Sequence, residues 1–436
     1  LYFCFRFYKI HIAMKKNLLL LLLLIPAIAF AQKKAYPQQF VYPAKVPISF
    51  DAQRLARIDS VFQHLVDQGD IPHAVTFVAH RGVVVHHKAF GWRDREAGIA
   101  CKKDDIFRNA SQTKAFTSVA ILMLMEEGKL LLDDPVKLYI PEFADPQVLV
   151  SVNPDSTAVT RPAKRDITIR HLMNHTAGIS YGNADTRRIY DKRGLPVSPM
   201  FSTDNRTLGE AIRILAGCPL EHDPGERFTY GMNTDVLGYV VEQVSGMPVD
   251  EFFRRRIFEP LGITSTWFYL PEALQNRLVK LYEYAGPGKY KPNERENGIY
   301  QRAAYSGAKT FFSTGAGLNG SIEDYARLCQ LILNEGVFNG KRLLSRKTVE
   351  MMKKNSVGDK RGEIGYGLAF DDFRPEYSYR SIASEGSLRW GGWFGTDYLI
   401  DPKEELILLF YINYQPGLPN KDLKVLFHNL VYQALQ

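Results

Sequence analysis

The period of the hydrophobic positions changes several times along the chain. Leu55, Ile58, Val61, Phe62, Leu65 and Val66 recur at helical spacing, which predicts an amphipathic helix over about 50–68. Two β-rich runs follow, 74–80 and 83–91, and the Arg81-Gly82 pair between them reads as the turn of a hairpin. The stretch 111–127 is different. Ala115, Phe116, Val119, Ala120, Ile121, Leu122, Met123, Leu124 and Met125 leave almost no polar face, so this helix is expected to be buried all round, with Gly128 ending it. From 134 to about 268 the pattern is helical and loop-rich, punctuated by Pro135, Pro141, Pro162, Gly178, Gly182, Pro196, Pro224 and Gly225. Strand signals return at 365–370, 389–400 and 405–412, the last after a turn at 401–404. The stretch 423–435 is amphipathic again. Strands and helices at both ends around a helical middle imply an α/β (α+β) architecture, a sheet flanked by helices and built from both ends of the chain. The boundaries fall at 48–133 and 310–436 for the sheet domain and 134–309 for a mostly helical insertion.

The first 31 residues change the reading of composition. Lys15 and Lys16 precede an apolar run from Leu18 to Ile28, and Ala29-Phe30-Ala31 has the small-x-small pattern read by signal peptidase. The run is too short for a membrane span. These residues are expected to be an upstream extension (1–13, before Met14) and a signal peptide ending near Ala31, which places the mature chain in the periplasm or outside the cell with no stable membrane anchor. The formal charge is +8; Arg6, Lys9, Lys15 and Lys16 belong to this segment, which has no acid, leaving +4 for the rest. That small surplus, without a basic stripe interleaved with aromatics, gives nucleic-acid binding no support. Cys101, Cys218 and Cys329 are odd in number and widely spaced, so they form neither a disulfide framework nor a metal site; Cys329 fits the apolar stripe of a helix.

Three segments carry candidate chemistry. In Ser111-Gln112-Thr113-Lys114 the hydroxyl and the amine stand at i and i+3, one face of a helix. A serine needs a base to become a nucleophile. Desolvation is expected to lower the Lys114 pKa and let it act as one. The helix N-terminus also favours negative charge developing at an attacked carbonyl. The second segment is Phe228-Thr229-Tyr230-Gly231-Met232-Asn233. The third, Trp390-Gly391-Gly392-Trp393, opens a predicted strand whose glycines would let the backbone approach a substrate and offer an N–H to an oxyanion.

Together these segments resemble the serine β-lactamase and penicillin-binding protein family, and among its members the class C β-lactamases and their esterase-like relatives. Phe107 to Lys114, continuing to Glu126-Glu127-Gly128-Lys129-Leu130, is similar to that family's nucleophile helix. Ile169 to Gly178 resembles its HLLTHTSG segment, and Pro224 to Tyr230 the run that delivers its tyrosine. Ile257 to Ile263 and Gly315 to Leu318 also have counterparts, in the family's order, over about 52–411. The resemblance implies an antiparallel sheet of the β-lactamase/transpeptidase type and an acyl-enzyme on Ser111. It also implies proton transfer shared by Lys114 and Tyr230, with the division left open, an oxyanion hole from the backbone N–H groups of Ser111 and Trp393, and no cofactor or metal. Trp390, Gly391, Gly392 and Asn233 would then contact substrate. Two departures stand out. The family's Tyr-x-Asn has Met232 at its third position, with Asn233 one residue late. Its Lys-Thr-Gly is replaced by Trp390-Gly391-Gly392, which supplies no cation. Such variants look like the esterase branch, and a neutral aromatic cleft suits an ester or amide acyl group better than an anionic β-lactam. The expected activity is therefore carboxylesterase-like, on a small-molecule or peptide-like acyl substrate. The alternatives are β-lactamase, D-alanyl-D-alanine carboxypeptidase or D-aminopeptidase activity.

Other readings compete. Gly178-Ile179-Ser180-Tyr181-Gly182 matches G-x-S-x-G, but that motif needs a buried strand before its serine, and here a short helix is expected. A metal hydrolase lacks H-E-x-x-H, and His86 and His87 lie on a strand where neighbours face opposite ways; His175 reads as loop support. A binding protein that kept the fold and lost the chemistry is the non-enzymatic alternative.

Overall fold

The computed structural model describes residues 37–195 and 205–436. The expected extension and signal peptide, 1–31, lie outside the described residues. Residues Gln38–Gln436 form one compact unit.

The strands of the main sheet are β1 (His73–His80), β2 (Val83–Asp94), β3 (Ile99–Ala100), β4 (Ile364–Tyr366), β5 (Asp371–Phe373), β6 (Leu388–Gly391), β7 (Asp397–Asp401) and β8 (Leu406–Tyr411). Their spatial order is β4-β5-β6-β7-β8-β1-β2-β3. Every neighbouring pair is antiparallel, and the pairing of β8 with β1 joins the last strand to the first, with Thr76 opposite Phe410. The two chain ends thus build one sheet, and pairs such as β8 with β1 cannot form until the whole chain has folded back.

The side chains of β8 show how the layers are made. Leu406, Leu408 and Phe410 join the cluster packed under α1 (Arg57–Asp67) and α5 (Leu423–Tyr432). Ile407, Leu409 and Tyr411 join the larger cluster containing α2 (Thr113–Glu126) and α4 (Ile322–Leu333). This two-residue alternation is what the pleat imposes on a strand covered on both faces. Phe62 of α1 sits among Phe90, Phe410 and Phe427, with ring centroids 5.9, 5.4 and 6.2 Å away. Helix α2 is buried on all sides from Thr113 to Leu124, as its composition predicts. Its outer neighbour is α3 (Asn233–Ser245), whose Gly238 has no room for a Cβ because Thr314 occupies the space. The segment 134–309 shares one continuous apolar core with the sheet's inner face and adds two short hairpins, 147–162 and 282–292, to its helices.

Two strand expectations need correction. The run 389–400 is two strands, β6 and β7, with a reversal between them. Gly392 N–H donates to Thr396 O (2.8 Å), Gly395 N–H donates to Gly392 O (3.0 Å), and Gly395 has a φ of +110°. Trp390-Gly391-Gly392-Trp393 therefore ends a strand instead of opening one. The run 365–370 reverses as well, into the β4–β5 hairpin, with Gly367 N–H donating to Phe370 O. Apolar runs of this length do not reveal a tight turn inside them. Cys101, Cys218 and Cys329 are free thiols; Cys329 is fully buried in α4.

Candidate active site

Ser111 sits in a single turn of 3-10 helix, Ala110–Gln112, that runs into α2. Ala110, just before it, has a φ of +47°, a left-handed conformation that costs an L-residue free energy and persists only where the surroundings impose it. The surroundings are specific. Asn109 N–H donates to Leu318 O (3.0 Å), Thr113 Oγ1 donates to Ala110 O (2.8 Å), and Leu318 N–H donates to Thr113 Oγ1 (3.1 Å). The buried helix thus presents a half-buried hydroxyl at its N-terminal end.

Lys114 is 1% exposed and all three of its donors find oxygen. Gly315 O lies 2.8 Å, Tyr181 Oη 2.9 Å and Ser111 Oγ 3.5 Å from Nζ. Burial disfavours the ammonium, but the Tyr181 and Tyr230 oxygens beside it favour it more strongly, and the amine stands above its ordinary value. This corrects the expectation that desolvation lowers it. Gly315 is itself placed by buried Asp235, whose Oδ1 accepts from Gly315 N–H (3.1 Å) and from Ser313 Oγ (2.7 Å).

Tyr230 Oη lies 2.8 Å from Ser111 Oγ, and Lys114 Nζ lies 4.7 Å from the centre of the Tyr230 ring. The tyrosine is carried on a loop that Thr229 N–H ties to His175 O (2.7 Å). Gly231 allows Ile179 and Ser180 to pack onto its backbone, where a Cβ would collide with both. That close approach brings Tyr181 to the site, its ring 5.6 Å from that of Tyr230. Sequence reasoning missed Tyr181; the signal was its place just beyond the His175-Thr176-Ala177-Gly178 segment. Burial pushes its phenol up, only partly offset by Lys114. His175, in a left-handed turn at φ +57°, lies 4.7 Å from the Tyr230 ring; burial, then the Lys114 and Arg361 charges, holds it well below the usual histidine range.

Asn233, expected to reach substrate, is fully buried behind the tyrosine. Its Nδ2 donates to His175 Nδ1 (3.0 Å), Ile179 O (2.9 Å) and Thr229 O (3.3 Å), so the amide fastens the two loops together. Ser180 is buried in a loop, with Oγ accepting from Gly182 N–H (3.0 Å), and the element before it is the helix Ile169–Met173, not a strand. Among the described residues no group of three or more His, Cys, Asp or Glu is arranged to hold a metal.

Gly392 lies against the nucleophile turn, where a Cβ would collide with Asn109 O and Thr396 Oγ1. Its N–H is used by Thr396 O, so its part is this close approach and not the substrate contact expected of it. Trp390 stacks toward Tyr230 at 5.4 Å, and Trp393 is 59% exposed. The cleft is not neutral, contrary to expectation. The Arg361 guanidinium lies over the rings of Trp390 (5.1 Å), Phe228 (5.1 Å) and Tyr366 (5.5 Å) and pairs with Asp371. The third motif has no cation, but a loop thirty residues earlier supplies one beside it.

A sequence model of the Beta-lactamase family matches residues 58–432. The chain belongs to the β-lactamase family. This family of serine hydrolases includes "Esterase EstB" of Burkholderia gladioli, 30% identical over 84% of the present chain and 92% of that one. A "Putative D-alanyl-D-alanine carboxypeptidase" of Escherichia coli (strain K12) is 27% identical over 94% and 93%. Among solved structures, "EstCE1, a hydrolase with promiscuous acyltransferase activity", superposes with a TM-score of 0.73 at 27% identity, covering 87% of this chain and 99% of that one. The antiparallel sheet with flanking helices is the β-lactamase/transpeptidase fold, and this β-lactamase-family chain has hydrolase relatives of both the esterase and the carboxypeptidase kind.

Proposed function

We propose that the chain is an exported serine hydrolase that cleaves a carboxylic ester through an acyl-enzyme on Ser111. The observation that carries this reading is the convergence of Tyr230 Oη (2.8 Å) and Lys114 Nζ (3.5 Å) on one serine hydroxyl. Lys114 and Tyr230 enter the step as a pair carrying one proton fewer than an ammonium and a phenol together, so that Tyr230 Oη can receive the Ser111 proton while the amine offsets the charge. As the proton moves to Tyr230, Oγ bonds to the ester carbonyl carbon. The oxyanion that forms is met by the backbone N–H groups of Ser111 and Trp393, which the Gly392–Asn109 approach supports. The C–O bond to the alcohol then breaks and the alcohol oxygen takes the proton from Tyr230. Water repeats the sequence on the ester of Ser111 and frees the acid.

The esterase relative and the aromatic lining of Trp390, Tyr181 and Tyr366 support an ester substrate. The carboxypeptidase relative and the Arg361 cation favour a second reading, peptidase or β-lactam hydrolysis. Fluorophosphonate labelling of the purified protein, with p-nitrophenyl butyrate and a chromogenic cephalosporin assayed in parallel, decides between them. We expect covalent labelling and ester hydrolysis, both lost in Ser111→Ala, with the cephalosporin turned over far more slowly. Hydrolysis that survives Ser111→Ala overturns the reading. Export rests on residues 15–31 and is checked by the N-terminus of the mature protein recovered from the periplasm.

A further inference from the structure

The oxygens that Lys114 meets, on Gly315, Tyr181 and Ser111, belong to a carbonyl, a phenol and a hydroxyl. A buried ammonium held by such groups still lacks a counter-charge, and burial removes the screening of solvent. A carboxylate stands one peptide group away. Gly315 O accepts from Lys114 (2.8 Å), and the N–H of the same residue donates to Asp235 Oδ1 (3.1 Å), which also accepts from Ser313 Oγ (2.7 Å). Asp235 is 2% exposed and lies in the first turn of α3, where the helix N–H groups favour an anion. The link is held in shape from both sides. A Cβ on Gly315 would collide with the Asp235 carboxylate, and Gly238 leaves room for Thr314. Thr314 Oγ1 donates to Thr234 O of α3 (2.9 Å), while Thr314 O accepts from Thr117 Oγ1 of α2 (2.8 Å). The 313–315 segment is thus clamped between the helix that carries Lys114 and the helix that carries Asp235. Tyr181, Tyr230, Tyr366 and His175 also face Lys114, and Arg361 faces Tyr230. Burial keeps the Tyr181 and Tyr366 phenols protonated and the His175 ring neutral, and Arg361 has Asp371 as its partner.

In the step proposed above Lys114 and Tyr230 share one proton. It sits either on the amine, leaving a phenolate, or on the phenol, leaving a neutral amine. We infer that Asp235 is a positioning residue whose negative charge, passed through the Gly315 peptide, holds that proton on Lys114 and leaves Tyr230 Oη to take the proton of Ser111. The inference rests on the serine-hydrolase reading and adds which member of the pair is the base. A peptide group set between an ammonium and a carboxylate is polarised by both, its C=O toward the cation and its N–H toward the anion. The chain of contacts reaches Lys114 before Tyr230, so the carboxylate favours the ammonium more than it opposes the phenolate.

The test reads the acidic limb of kcat/KM for p-nitrophenyl butyrate, a neutral ester, because that limb belongs to the Lys114–Tyr230 pair in the free enzyme. Asp235→Asn keeps the shape and both bonds accepted by Oδ1 and removes the charge. It is expected to move the limb by about one unit to lower pH, since loss of a nearby negative charge makes the pair easier to deprotonate. It is also expected to lower the plateau kcat about tenfold, as the shared proton passes to Tyr230 and weakens the base. Asp235→Ser, also uncharged, is expected to move the limb the same way. Ser313→Ala removes a hydrogen bond and keeps the charge, so its limb stays at the wild-type position. In the wild type, the ultraviolet tyrosinate absorbance that Tyr230→Phe abolishes is expected to rise along the same limb. A limb unmoved in both uncharged variants, or moved as far by Ser313→Ala, overturns the inference, as does the lack of that tyrosinate in the wild type. In each case hydrolysis that still requires Ser111 leaves the serine-hydrolase reading standing. Hydrolysis that persists in Ser111→Ala overturns both.

Discussion

At the scale of single residues, charge and hydrogen bonding decide what each polar side chain near Ser111 does. Lys114 meets three oxygens, and the phenol oxygens of Tyr181 and Tyr230 outweigh its burial and hold the amine above its ordinary value. Asn233 spends its amide on His175, Ile179 and Thr229. Replacing it with Ala leaves those buried acceptors without a donor, a loss of about 2 kcal/mol. Asn233→Ala is therefore expected to unfold at clearly lower denaturant concentration, while KM for a small ester changes little and any fall in rate is shared by all substrates. A large rise in KM confined to one substrate would return Asn233 to the binding surface.

At the scale of elements, the site is a junction of three segments, each brought in by a close backbone approach. The 3-10 turn before α2 carries the hydroxyl, the loop before α3 carries Tyr230, and the β6–β7 turn closes over both. Gly392 is the contact between the first and the third. A methyl group there collides with Asn109 O, so either the turn or the nucleophile must move. Overpacking of this kind costs about 1–3 kcal/mol, and a displacement near 1 Å at reacting atoms costs about a hundredfold in rate. Gly392→Ala is expected to lower kcat by about that factor with labelling of Ser111 slowed in parallel. Rates within twofold of wild type would show that the turn and the nucleophile are not coupled.

At the scale of the molecule, the sheet buries histidines as neutral rings. His73 Nδ1 donates to Trp92 O (3.0 Å) and Nε2 accepts from Asn413 N–H (3.1 Å), a set only the neutral ring satisfies. Burial lowers its pKa to about 4, and His86, buried beside Thr76, is likewise lowered to about 4. Both lie below the unfolded value near 6.5. Below that pH the unfolded chain binds more protons than the native one, so stability is full above pH 6.5 and falls as the pH drops toward 4. For His73 alone the loss is roughly 3 kcal/mol at most. Urea unfolding at pH 7.5 and pH 5 is expected to give a lower midpoint at pH 5; equal midpoints would contradict neutral burial.

Local chemistry determined a good deal of this by itself. The near-absence of a polar face over 115–125 pointed to a helix hidden on every side. The unbroken apolar run 406–411 pointed to a strand covered on both faces, and the three-residue spacing of Ser111 and Lys114 to a shared helical face. These follow from backbone period, which nearby residues set. Tyr230 is 119 residues from Ser111 in the chain, and its partner Tyr181 and the Arg361 cation come from other segments again. Only the packed sheet and its insertion bring them together. The same holds for the ionisation of Lys114, the inward turn of Asn233 and the end of β6 at Gly391. Each depends on which distant oxygens or carbonyls stand within a few ångströms, a matter of tertiary contact that no local period carries.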